Sequence, residues 1–190
     1  MTVVSYPRHL ALVAAAAVMV VFLPRFPLPA WVNGFAFFFA ATGLLYAGTL
    51  LLALNAHASP YRRLAFAGTS ALLSACAPYV GLALVSLLLP GHALALPAAF
   101  AIAAAAGAVA YFFLVRALLF PGLAARWGWR MPALCAAGAL LSYATAVVGS
   151  SYGIYRSVLD ALPTIGWWLS FSLSLYLAEH AGAAAPVLSS

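Results

Sequence analysis

Six apolar runs, separated by short breaks rich in proline and polar residues, dominate this 190-residue sequence. They cover residues 9–23, 31–54, 64–89, 94–115, 131–149 and 162–178. A helix rises 1.5 Å per residue, so about 20 residues cross about 30 Å of hydrocarbon. Runs two to five meet or approach that length. Runs one and six are short and need flanking residues or a thinned bilayer to cross it. Only 5% of the residues are charged, against about 25% in a soluble domain. A chain so poor in charge cannot cover a water-facing surface, so its solvent must be lipid. The runs therefore predict an all-α polytopic transmembrane bundle of about six spans, with residues 1–190 forming one integral membrane domain.

The first run admits a second reading as a secretory signal peptide, because Arg8 and His9 precede the apolar stretch. It ends in Leu23-Pro24-Arg25-Phe26-Pro27 without a small-x-small cleavage site, which favours an uncleaved span. Cleavage would leave five spans and a new N-terminus outside.

The net charge of +6 arises from eight arginines against Asp160 and Glu179, with no lysine. The arginines are scattered over short connections, not gathered into a phosphate-binding stripe, so nucleic acid is not an expected partner. They read instead as topology signals. With the N-terminus in the cytoplasm, Arg8, Arg62, Arg63, Arg116, Arg126 and Arg130 lie inside, and Arg25 and Arg156 outside. Cytoplasmic termini are thus expected. The composition, rich in Ala, Gly and Arg, points to a GC-rich bacterial source and hence to the inner membrane. All five tryptophans (Trp31, Trp127, Trp129, Trp167 and Trp168) fall near expected span boundaries, where indole rings anchor at the headgroups.

Between spans four and five, apolar residues alternate with Arg116, Arg126, Trp127, Trp129 and Arg130. Such a stretch suits the cytoplasmic interface, with Arg116 snorkelling from the end of span four. Arg62 and Arg63 are expected to anchor the start of span three in the same way. Small residues four apart mark close helix packing within the bundle or at an oligomer interface: Gly43 and Ala47, Ala103 and Gly107, Gly138 and Ser142, Ser170 and Ser174. Pro78 is expected to kink span three.

Chemistry is sparse. Gly149-Ser150-Ser151-Tyr152-Gly153 fits the G-x-S-x-G pattern of hydrolase elbows. It falls at a helix end, however, where Gly and Ser commonly terminate a helix, and His92 is the only histidine expected on that side. No catalytic residue is assigned. The outer loop from Ser150 to Asp160 places Tyr152, Tyr155, Arg156 and Asp160 together. Arg156 and Asp160, four apart, would share a helical face. This polar patch is the first candidate for ligand or partner contact.

His9, His57, His92 and His180 all fall at expected span ends, which disfavours a buried bis-histidine haem. Dispersed histidines with one Glu make no metal site, and no cofactor is expected. Without lysine there is no retinal Schiff base, and without a mid-span acid the usual carrier for ion coupling is missing. Cys76 and Cys135 read as small buried hydrophobes.

From Leu50 to Gly91, a span ending in Asn55-Ala56-His57-Ala58-Ser59-Pro60-Tyr61, then Arg62-Arg63 and a proline-containing span, loosely resembles bacterial membrane proteins of the Yip family. The resemblance covers about a fifth of the chain. It implies a small polytopic protein, but the N-terminal stretch and the final span depart from that family's usual five. Taken together, the sequence favours a non-enzymatic subunit or scaffold that uses the bilayer, and other membrane subunits or a second copy, as partners. A small permease or lipid-handling transporter is the alternative, and a membrane-embedded enzyme the second alternative.

Overall fold

The computed structural model describes residues 6–25, 27–30, 32–53, 58–91, 95–121, 130–152 and 156–183. Six helices run through them: α1 (Tyr6–Phe22), α2 (Gly34–Ala53), α3 (Pro60–Leu88), α4 (Ala95–Leu118), α5 (Arg130–Ser151) and α6 (Arg156–Ala183). No strand occurs among the described residues. Five of the helices are long and apolar enough to cross a membrane, α6 through residues 161–178. The sixth, α1, has 17 residues and reaches about 26 Å at the helical rise.

The helix ends follow local chemistry. Asn33 starts α2 three residues inside the apolar run, its Oδ1 accepting from the N–H groups of Phe35 and Ala36 at 3.0 and 3.1 Å. Ser59 caps α3, with Pro60 in the first turn, so this helix begins four residues before its apolar run. Pro24 lies in a 3-10 turn, Leu23–Arg25, after α1. The chain leaves α3 through Pro90 and Gly91, the latter at φ +72°, where only glycine is comfortable.

Each helix packs on its neighbours in sequence, and α1 closes onto α6. The result is a ring of six helices in chain order. The small-residue pairs become its seams. A Cβ on Gly43 would strike Ser70 and Ser74 of α3, and one on Gly81 would meet the Ala99 carbonyl and Ala103 of α4. Gly138 and Ser142 of α5 mesh with Gly166 and Ser170 of α6. Gly48 and Gly68 have open space instead.

Several sequence expectations need correcting. Trp167 and Trp168 are not interfacial anchors. Helix α6 starts six residues before its apolar run, which carries both indoles into the interior, and Trp168 is only 2% exposed. His9 is likewise buried, because α1 turns that face towards α6. Cys76 is exposed on α3, whereas Cys135 is buried as expected, and both are free thiols.

Candidate functional site: an axial cavity over an aromatic plug

The ring is filled unevenly. Near mid-height, Tyr46, Tyr111, Trp167, Trp168 and Phe171 crowd onto the axis. Tyr46 stacks on Trp168 at 5.4 Å between ring centroids, and Trp167 stacks on Phe171 at 5.2 Å. Edge-on contacts tie Tyr111 to Trp167 and Phe171. Such arrangements add roughly 0.5–1.5 kcal/mol per pair beyond area burial. The plug is large, apolar and made of side chains with few rotamers.

Three of the four polar side-chain atoms in the plug, those of Tyr46, Tyr111 and Trp167, are bonded within the bundle. The Trp167 indole donates to the Ala104 carbonyl of α4 at 2.9 Å. The Tyr111 hydroxyl donates to the Ser70 carbonyl and meets Ser74 Oγ, both at 3.1 Å. On the α1 side, Ser172 Oγ is a hub. It donates to the Trp168 carbonyl at 2.7 Å, and it lies 2.8 Å from the Tyr46 hydroxyl and 2.7 Å from His9 Nε2. The Tyr46 hydroxyl also reaches the Trp168 carbonyl, at 3.3 Å, so Tyr46, His9 and Ser172 share one network with that carbonyl. His9 Nδ1 faces the backbone of Thr49 without closing a well-formed hydrogen bond. Ser70 Oγ is the other buried side-chain atom without a partner among the described residues.

Above the plug, towards the end where α2, α4 and α6 begin, lies a cavity of about 180 Å³. Phe35 and Phe39 of α2, Leu82 of α3, and Leu96 and Phe100 of α4 line its upper part. Its floor is formed by Thr42, Ser74, Tyr111, Trp167 and Trp168. Pro78 of α3 and Pro163 of α6 face it from opposite walls, and Ala139 of α5 touches it. The cavity is mostly apolar and exceeds the ~150 Å³ void that stays dry and takes up benzene or xenon. Its shape follows from the sequence. Ala99, Ala103, Ala104 and Gly107 leave one face of α4 without bulk, and the aromatic rings stop the axis below it.

The structure brings few of the sequence candidates to this site. Tyr152 sits exposed after α5, and its N–H bonds the Gly149 carbonyl at 3.1 Å. Tyr155 lies outside the described residues. Arg156 and Asp160 fall in the first turns of α6, with only their backbone described. Arg62, Arg63 and Arg130 are exposed at helix starts, Arg63 donating to the Ala58 carbonyl at 3.1 Å, and Arg116 is half-buried in the last turn of α4. Arg126, Trp127 and Trp129 lie outside the described residues, as do His92 and Gly153 of the hydrolase-like constellation. No cluster of three or more His, Cys, Asp or Glu occurs among the described residues.

What defines the molecule at this point is a polytopic helical membrane protein with an intramembrane cavity. No family model, curated protein or solved structure matches the chain.

Proposed function

We propose that this is a small permease or lipid-handling protein that takes a small apolar molecule, or a segment of a lipid chain, into its axial cavity. The observation that carries this reading is the cavity itself: about 180 Å³ of apolar space on the ring axis, lined from five helices and floored by aromatic side chains. Ligand sites between helices of a bundle have this character, a mostly apolar pocket with few polar groups. The arginine distribution supports cytoplasmic termini, which turns the end of the ring that holds the cavity to the outside.

A direct test is retention of toluene by the protein in lipid nanodiscs, measured against empty nanodiscs. Excess toluene at about one per chain is expected, and it should be lost in Ala77→Phe, which fills the cavity from α3. No excess over empty nanodiscs would overturn the reading. Transport is then tested by solute flux in reconstituted vesicles.

A subunit or scaffold role is the second reading. The small-residue seams no longer argue for it, because they are occupied within the chain. Gly48 and Gly68 argue for it: they lie on adjacent helices, and a Cβ on either would meet nothing within 4 Å. They leave room for another helix to approach. Native mass spectrometry from nanodiscs decides this: a second subunit or a homodimer supports the role, and a bare monomer counts against it.

A further inference from the structure

The walls of the cavity differ in what they offer a ligand, and the difference lies in the direction of their hydrogen bonds. Four of the donors lining the cavity are already committed, whereas the Thr164 hydroxyl and the Trp168 indole N–H have no hydrogen-bond partner among the described residues. The Tyr111 hydroxyl donates to the Ser70 carbonyl, so the proton between Ser74 and Tyr111 comes from Ser74. Thr42 donates to the Phe39 carbonyl at 2.8 Å. The Trp167 indole donates to the Ala104 carbonyl. Oxygen lone pairs remain on Ser74 and Thr42.

Pro78 adds a stronger acceptor. It sits inside α3 and has no N–H, so the carbonyl four residues earlier, that of Ser74, lacks its helical donor. The pyrrolidine ring also displaces that carbonyl from the helix axis. Ser74 and Pro78 both line the cavity, which puts the freed oxygen on the cavity side of α3. No side chain among the described residues donates to it. In hydrocarbon an unsatisfied carbonyl is costly, and a ligand donor there would relieve it.

We infer that the cavity selects neutral apolar molecules carrying one hydroxyl or N–H donor, and that the donor is received at the Ser74–Pro78 step of α3. Ketones, ethers and esters, which only accept, gain nothing at the Ser74–Pro78 step. Anions meet no cation among the residues lining the cavity. The apolar body of the ligand points up the axis towards Phe39 and Phe100.

This inference rests on the cavity-binding reading and is tested separately from it. Three benzene-sized probes, toluene, phenol and benzaldehyde, are titrated into protein nanodiscs with empty nanodiscs subtracted. Phenol should bind about tenfold tighter than toluene, the factor given by one net hydrogen bond. Any gain for benzaldehyde, taken from the Thr164 or Trp168 donors, should persist unchanged in Pro78→Ala. Pro78→Ala restores an N–H to the Ser74 carbonyl, and Ser74→Ala removes the neighbouring hydroxyl. Loss of the phenol advantage in either variant, with toluene affinity kept, supports the assignment. Toluene binding without a phenol advantage, or an advantage intact in both variants, overturns it and leaves the cavity reading standing. If no probe binds, both fall.

Discussion

Gly138 of α5 and Gly166 of α6 face each other across the tightest seam of the ring. A Cβ built on Gly138 would come within 3.2 Å of the Gly166 carbonyl, and one on Gly166 within 3.0 Å of the Gly138 carbonyl. Each glycine also receives the serine one turn along the other helix: Ser170 packs on Gly138 and Ser142 on Gly166. Both serines return their protons to their own helix, Ser142 to the Gly138 carbonyl and Ser170 to the Gly166 carbonyl, at 2.7 and 2.8 Å. The seam is thus close-packed and almost symmetric, and it depends on shape because no hydrophobic drive joins helices in lipid.

Bulk in this seam should therefore destabilise the fold. Gly138→Leu or Gly166→Leu is expected to cost about 1–3 kcal/mol or more, as overpacking does. Gly81→Ala should also destabilise, because its Cβ would sit 2.6 Å from the Ala99 carbonyl. Gly68→Ala, with nothing within 4 Å, should be neutral or gain up to about 1 kcal/mol from helix propensity. Thermal unfolding in one detergent compares the four variants. Equal loss in Gly68→Ala and Gly138→Leu would refute this seam.

The spans were legible in the sequence because length and apolar content alone define them, whereas the helix starts at Asn33 and Ser59 were not read from it and follow from capping chemistry seen in the structure. The inward faces were not legible. Ala-rich spans such as α4 are apolar all round, so no stripe separates core from lipid. Trp167 and Trp168 were misread for that reason: indole near a run's edge usually means an anchor, and the polar turns of α6 before the run hid how deep the pair lies. Tyr46 and Tyr111 carried the better signal. A tyrosine hydroxyl in mid-span must find a partner, and both do so on the ring axis, which locates the plug and the floor of the cavity. The cavity was beyond reach, since it is a deficit of volume among five helices spread over the chain.

The Ser172 hub gives an ordered set of losses. Tyr46→Phe removes one donor and leaves Ser172 still bonded to His9 and Trp168, so a loss of about 1 kcal/mol is expected. Ser172→Ala leaves His9 Nε2 without its partner and deprives the Tyr46 hydroxyl of its closest one. It should cost about 1–3 kcal/mol, more than Tyr46→Phe. In the double variant the effects should be less than additive, because the groups share one network. Denaturant unfolding in mixed micelles measures all three, and strict additivity would show that the network is not coupled.

Trp168 should be invisible to lipid. A protein retaining Trp168 as its only tryptophan, with the other four changed to Phe, is expected to show blue-shifted emission and little quenching by brominated acyl chains at any depth, because the ring is enclosed by the bundle and stacked on Tyr46. A headgroup anchor would be quenched most by bromines near the glycerol level. That pattern would return Trp168 to the interface and open the plug.

Orientation is testable on the same scaffold. With Cys76 and Cys135 changed to Ser, Ala58→Cys places a thiol just before α3, beside Arg62 and Arg63, and Pro90→Cys places one just after it. The 29 residues of α3 span about 44 Å at the helical rise, more than the hydrocarbon core, so the two thiols must emerge on opposite faces. In right-side-out vesicles an impermeant maleimide should label Pro90→Cys at once and Ala58→Cys only after the membrane is opened. The reverse pattern would invert the protein and turn the cavity, which lies towards the Leu82 end of α3, to the cytoplasmic side. It would then be the outlying arginines, Arg25 and Arg156, that mark the inner face, against the six-to-two distribution on which the orientation rests.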